Sequence, residues 1–320
     1  MPERDARPAE WLPLKNRQLL PRMTSHLVLV RAGIRTFDWI SVLNSFVPPL
    51  WISLSFPEID PVFFRLGPLQ FRWYGLMYLL GLLAAYFLIK HRAASRNVPL
   101  RTTQLSDLIV YAAFGVFLGG RLGYTLFYNT AYYLQNPLKI LAVWEGGMSF
   151  HGGLLGTCLA LGLFCYKKGF AAYTIADLAA QAAPIGLGLG RLGNFINGEL
   201  YGRPTEVAWC MVFPTGGSTC RHPSQLYEAA LEGIVLFGLL WFLGKKTTPP
   251  GTVFWSFIAG YGISRSFVEL FREPDAHLGF VLGPMTMGQL LSIPMILLGL
   301  TMLAVGYRTQ SNRERAPRGK

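Results

Sequence analysis

At 320 residues, 52% of them apolar and only 14% charged, the chain falls well below the roughly 25% charged residues of a soluble domain. Its 29 Lys and Arg against 17 Asp and Glu give a net charge of +12, yet the excess sits between long apolar runs, as in membrane-flanking loops, and no basic groove interleaved with aromatics supports nucleic-acid binding. Its four cysteines stand in no C-x-x-C or Cys/His spacing, so neither a metal nor a cofactor is expected.

Residues 1–49 mix Arg4, Arg7, Lys15, Arg17, Arg22, Arg31 and Arg35 with prolines and acids and lack the compact apolar core of a signal peptide, which predicts a poorly ordered extension. The stretch from Trp39 to Phe56 is interrupted by Pro48-Pro49 and is expected to lie at an interface. From about Gly67 onward, runs of about 20 apolar residues follow one another, enough to cross the hydrocarbon core. Seven spans are expected, near 69–89, 108–128, 144–164, 172–192, 225–244, 251–271 and 285–306, giving an all-α polytopic membrane protein whose seven-span domain covers 50–307.

Alternate connections are basic: Lys90-His91-Arg92 with Arg96 and Arg101, Lys167-Lys168, Lys245-Lys246, and a tail over 308–320. Counting these puts the tail in the cytoplasm and the loops 129–143, 193–224 and 272–284 outside. The longest of them, 193–224, holds Pro204, Pro214, Gly216-Gly217 and Pro223 around a strand-like Val207 to Phe213, and is expected to form a small extracytoplasmic (periplasmic) cap. Cys210 and Cys220 share that loop, where a disulfide persists if formed, whereas Cys158 and Cys165 fall inside a span as packing residues.

In this orientation polar side chains from five spans come to one layer: Tyr74, Arg121, His151, Arg191, and Arg265 with Glu269. Each lies within seven residues of an outer boundary, about 10 Å at the helical rise. A charge inside a span is costly unless partnered, which makes Arg191 and Arg265 functional candidates. Arg265, Glu269 and Arg272 share one helical face, the acid able to bridge both guanidiniums, though arginines near span ends also snorkel. His151, between glycines, is suited to accept a proton near neutral pH. Gly188-Leu189-Gly190-Arg191-Leu192-Gly193 matches G-x-G-x-x-G without the preceding strand of a dinucleotide fold; Gly186 and Gly190 are expected to serve helix packing instead. Asn194, Asn197 and Glu199 crowd the end of that span, as a site or as a helix cap and turn. The inner halves of the spans look almost purely apolar, which argues against a secondary transporter. Another phospholipid headgroup-processing enzyme is the nearer alternative, although the spans show no Asp-rich metal motif.

Several blocks resemble the bacterial prolipoprotein diacylglyceryl transferases: Arg72-Trp73-Tyr74-Gly75, Gly120-Arg121-Leu122-Gly123, His151-Gly152-Gly153, the run from Gly190 to Glu199, the run from Arg221 to Glu228, and Phe271-Arg272-Glu273-Pro274-Asp275. The resemblance runs from about Phe56 to Tyr307 and leaves out 1–49. It implies an inner-membrane enzyme that moves the sn-1,2-diacylglyceryl group of phosphatidylglycerol onto the lipobox cysteine of a prolipoprotein signal peptide and releases glycerol 1-phosphate. It also implies phosphatidylglycerol binding at Arg191 and functional roles at Tyr74, His151, Asn194, Glu199, Gly202, Arg265 and Glu269. Arg191 and Arg265 are then expected to hold the phosphate, with Glu269 and Glu199 orienting arginines and Arg121, Arg272 and Asn197 as further candidates. His151 is expected to take the thiol proton; the alternative leaves the arginines to lower the thiol pKa.

Overall fold

The computed structural model describes residues 54–67, 69–127, 129–142, 147–274 and 279–315, so the expected extension over 1–49 and the interfacial segment before Leu54 lie outside the described residues. The chain is mostly helical: α1 (Trp73–Ser95), α2 (Thr102–Phe127), a short α3 (Thr130–Gln135), α4 (Phe150–Lys168), α5 (Ala172–Ile196), α6 (Ser224–Leu243), α7 (Thr252–Val268) and α8 (Met287–Arg315). Among the described residues four stretches, α1, α2, α6 and Met287–Asn312 of α8, are long and apolar enough to cross a membrane. The polar side chains of the candidate site are shared among the helices: Tyr74 lies in α1, His151 in α4, Arg191 and Asn194 in α5, Glu228 and Glu232 in α6, and Arg265 in α7.

The chain is not purely helical. β2 (Val62–Leu66) and β3 (Leu69–Arg72), following β1 (Leu54–Ser55), form an antiparallel hairpin that pairs Leu66 with Leu69 and Val62 with Arg72. That pairing takes the first four residues of the expected first span, so α1 starts at Trp73. α2 reaches back to Thr102, six residues before the apolar run, through a polar first turn. α4 starts only at Phe150, where Ser149 Oγ accepts from the Gly152 N–H at 3.2 Å, and it ends at Gly169 with φ +73°. The strand expected over 207–213 contracts to β4 (Met211–Val212), parallel to β1 through Leu54 and Met211. β5 (Phe280–Leu282) and β6 (Met285–Thr286) make a second small hairpin before α8.

Small residues set the helix pairs. α1 runs antiparallel to α5: Tyr74 lies on Gly193, a Cβ on Gly81 would stand 3.2 Å from Gly186 Cα, and Arg92 reaches Gln181. α2 and α4 meet glycine to glycine, Gly115 and Gly119 against Gly156, and Gly123 against Gly152, so closely that a methyl group at these positions would strike the opposite backbone. Such small-residue seams let helices pack tightly where burial in lipid supplies no driving force. Gly152, directly after His151, thus admits a neighbouring backbone, whereas Gly147 before it faces the side chains of Tyr124 and Arg121. In α5, however, the tight contact with α6 falls on Gly188, against Gly233, rather than on the expected Gly190, which has open space. α8 lies back along α7, with Gly262 near Ser292 and Gly299 near Ala259. Two apolar clusters fill the interior, one centred on Leu105, Phe164, Ile175 and Leu178, the other on Leu236, Leu240, Val253 and Tyr261.

Candidate active site

Arg191 stands near the end of α5, where its Nε lies 3.0 Å from Glu228 Oε2 and its Nη2 donates to Glu232 Oε2 at 3.4 Å. Both acids belong to α6 and both side chains are wholly buried. Glu228 Oε1 accepts from Arg265 Nη1, and Arg265 Nη2 donates to Glu269. Glu269 Oε1 also accepts from Arg272 Nη1 at 3.3 Å, while its Oε2 accepts from Thr286 Oγ1 at 2.9 Å. Gly288 leaves room for this carboxylate, since a Cβ there would overlap it. The result is a chain of alternating charge, Glu232, Arg191, Glu228, Arg265, Glu269 and Arg272, contributed by α5, α6 and the end of α7. Charges withdrawn from water are tolerated only when paired and hydrogen-bonded, and here three cations balance three anions.

The local sequence explains why α6 delivers two acids at once. Just after Glu228 the helix widens into a π-helical stretch, Ala229–Val235, of the kind frequent at functional sites. Within it Gly233 meets Gly188 of α5, its would-be Cβ 2.9 Å from Gly188 Cα, and this close approach brings Glu228 and Glu232 alongside Arg191.

His151, one residue into α4, lies within electrostatic range of Arg265, and its Nε2 is buried without a hydrogen-bond partner. The preceding Phe150 stacks on Tyr261 at 4.5 Å, one turn before Arg265 on α7, which fixes the start of α4 against the cluster. Tyr74 Oη is 3.3 Å from Tyr78 Oη, and its ring, seated on Gly193, falls within electrostatic range of Arg191 and Glu199. Asn194 and Asn197 both donate to Glu199 Oε1, at 2.9 and 3.0 Å. Glu199 therefore orients amides, and the expectation that it orients arginines is corrected; Glu269 does bridge Arg265 and Arg272 as expected.

Gly202 sits where three segments cross, its N–H donating to His222 O at 2.8 Å and a Cβ having no room against His222 and Phe271. Next to it Arg203 donates to the carbonyls of Arg272 at 2.9 Å and Glu269 at 3.3 Å, so the 193–224 segment grips the end of α7. Cys210 and Cys220 form a disulfide in that segment, with Cα atoms 5.5 Å apart. His222 Nδ1 lies 3.1 Å from Tyr227 Oη, and burial pushes its pKa below the ordinary value of 6.5. Arg121 is buried, but its guanidinium donates to the carbonyls of Lys139, Ile140, Ala142 and Gly147 and covers the Tyr133 ring at 5.2 Å. It clamps the segment that follows α3.

At the other end of the helices a second polar set corrects the expectation of almost purely apolar inner halves. Asp177 of α5 accepts from the Gly251 N–H at 2.9 Å and the Phe254 N–H at 2.8 Å, capping α7, and Gln181 accepts from Arg92 Nε at 2.5 Å. Neither Asp177 nor Gln181 is singled out by reading the chain, and Glu232 is missed as well. An acid among the apolar residues of a span is itself the signal that finds Glu232. Among the described residues no group of three or more His, Cys, Asp or Glu is placed to hold a metal ion.

These features define a helical membrane protein whose buried ion-pair chain presents arginine donors, the arrangement that binds an anionic group. A family model described as prolipoprotein diacylglyceryl transferase matches residues 61–305, and the chain belongs to that family. It is 62% identical over 255 residues to a phosphatidylglycerol--prolipoprotein diacylglyceryl transferase of Geobacter sulfurreducens, covering 80% of this chain and 98% of the relative. Relatives of the same name from Bordetella avium (54% over 262 residues, 81% of this chain and 99% of the relative) and Oleidesulfovibrio alaskensis (52% over 264 residues, 82% and 98%) are also similar to it.

Proposed function

We propose that this chain transfers the diacylglyceryl group of phosphatidylglycerol to the lipobox cysteine thiol of a prolipoprotein, forming a thioether and releasing glycerol 1-phosphate. Family membership supports the reaction, and the observation that carries the site is the ion-pair chain joining Arg191 and Arg265 through one fully buried carboxylate, Glu228. In the proposed step the cysteine sulfur attacks the carbon of the diacylglyceryl group that is bonded to a phosphate oxygen. The carbon–oxygen bond breaks, its electron pair stays on the departing phosphate, and the thiol proton passes to His151. The phosphate gains negative charge as it leaves, so preorganised guanidiniums stabilise the transition state more than the bound lipid. Arg191 offers the open donors, since its Nε and Nη2 face Glu228 and Glu232 and Nη1 has no partner among the described residues. Arg265 is knit between Glu228 and Glu269 and stabilises charge from behind. Tyr74, Asn194, Glu199, Gly202 and Glu269 shape the lipid site around them.

The proposed placement has seven spans, α1, α2 and α4–α8, in the bacterial inner membrane, with residues 308–320 in the cytoplasm. The 193–224 segment is then a periplasmic cap and the Arg191 cluster lies in the outer half of the bilayer, at the depth of a lipid phosphate. Purified protein, phosphatidylglycerol labelled in its headgroup glycerol and a synthetic lipobox peptide test the reading. Glycerol phosphate release is expected with the cysteine peptide and not with its serine counterpart; release independent of the thiol overturns it.

A further inference from the structure

Glu232 differs from the other acids of the ion-pair chain. Glu228 lies between two guanidiniums, and Glu269 is held by Arg265, Arg272 and Thr286. Glu232 makes one ion pair, to Arg191 at 3.4 Å, and its Oε1 is buried with no hydrogen-bond partner. A buried carboxylate oxygen left bare is costly, so the ionised form of Glu232 rests on a single long contact. Arg191 itself is held asymmetrically: Nε stands at 3.0 Å from Glu228, while Nη2, which a phosphate would share with Nη1 in an end-on fork, is the nitrogen turned to Glu232.

The six charges of the chain cancel while the site is empty. A phosphodiester brings one more negative charge into a region that already keeps Glu228 and Glu232 fully out of water, and excess buried charge is neutralised by a proton where one can be accepted. We propose that Glu232 is a positioning residue that holds Arg191 in the empty site and takes a proton from solvent when the lipid phosphate arrives, releasing Nη2 to complete the fork. This rests on the reading of Arg191 as the phosphate ligand. The charged and titratable groups around Glu232 are Arg191 from α5, Glu228 on its own helix, and Arg265 and Tyr261 from α7. His151 of α4 acts on Arg265 and also gains a proton more readily beside an anion, so its contribution has to be separated.

The test is equilibrium binding of radiolabelled phosphatidylglycerol, without peptide, to the full chain in detergent micelles containing phosphatidylcholine, from pH 6.5 to 8.5. Linkage of one proton weakens binding by up to about tenfold per pH unit above the titration. The wild-type protein is expected to show this loss, His151→Gln to keep it, and Glu232→Gln, which is neutral at every pH, to bind tightly throughout. A flat wild-type profile, or a Glu232→Gln profile as steep as wild type, overturns the proposal. If Glu232→Gln does not insert, an indicator dye in weak buffer decides on the wild type alone: about one proton taken up per lipid bound is expected, and none overturns it. No preference for phosphatidylglycerol over phosphatidylcholine at any pH sinks the Arg191 reading instead.

Discussion

At the Arg191 end of α5, carboxylates face guanidiniums borne by other helices; at the Asp177 end, the buried acid faces the backbone N–H groups of Gly251 and Phe254. Backbone donors cannot leave, so Asp177 serves as a fixed cap joining α5 to α7, while Gln181 and Arg92 tie α5 to α1. Side-chain partners can exchange, and Arg191 keeps its side chain 16% exposed beside fully buried acids, which in the proposed site makes it the member that meets the lipid phosphate first. Burial of charge is common to both ends, and what separates a site from a strut is whether the partner is replaceable.

The comparison is broken most severely at the arginines. Arg191→Ala removes the phosphate-directed guanidinium and Arg265→Lys the fork that holds Glu228 and Glu269 behind it, and the loss expected for each preorganised donor is about 10²–10³-fold in transfer rate. Membrane insertion should persist, measured by extraction and protease protection; near-normal turnover by either variant would remove the cluster as the site. His151→Gln comes next, with a fall of about 100-fold in kcat and little change in KM for the lipid, as befits loss of a general base. Turnover within a few fold of wild type would leave the thiol to be activated by the arginines alone.

The opposite end sharpens the contrast. Asp177→Ala strips two helix-terminal N–H groups of their acceptor, a change costing about 1–3 kcal/mol of stability. Transfer per folded molecule should stay within twofold of wild type, read as activity normalised to the monodisperse fraction after a heating series. If Asp177→Ala silences the enzyme while it remains folded, the distinction between strut and site fails.

How far the chain discloses this arrangement follows the same division. Helix positions are visible because apolar runs are long, yet α1 starts late, since Leu69–Arg72 pair with β2, and periodicity cannot reveal a partner strand. Arg265, Glu269 and Arg272 are legible as a unit because four- and three-residue spacings share a face. Arg191 is visible as a charge in a span, but its partner Glu232 is hidden among Ala229 to Val235, and only the Gly188–Gly233 contact tells which arginine it meets. Arg121 shows the converse: equal in sequence to Arg191, it is claimed by the carbonyls of its own neighbouring loop. Pairings across helices depend on which face each helix turns inward, and no spacing within one helix specifies that.

The smallest expected effect lies in the 193–224 segment, which joins the cluster to the surface through Gly202 and Arg203. His222 has a folded pKa below its ordinary 6.5 because burial disfavours the imidazolium. The folded state then binds fewer protons than the unfolded one, so this contribution to stability is fully present above pH 6.5 and is lost as pH falls below 6.5 and through the lower pKa of the folded state. The Gly202 amide donates to the carbonyl of His222 and the Arg203 amide to Phe271, so hydrogen exchange at both, corrected for intrinsic rate, is expected to quicken at pH 5.5 relative to 7.5. His222→Gln should flatten that dependence while leaving exchange at the Gly251 and Phe254 amides under Asp177 unchanged. A parallel response at both ends would mean that the segment and the Asp177 strut open as one unit, and that the 193–224 segment has no looseness of its own with which to admit a substrate.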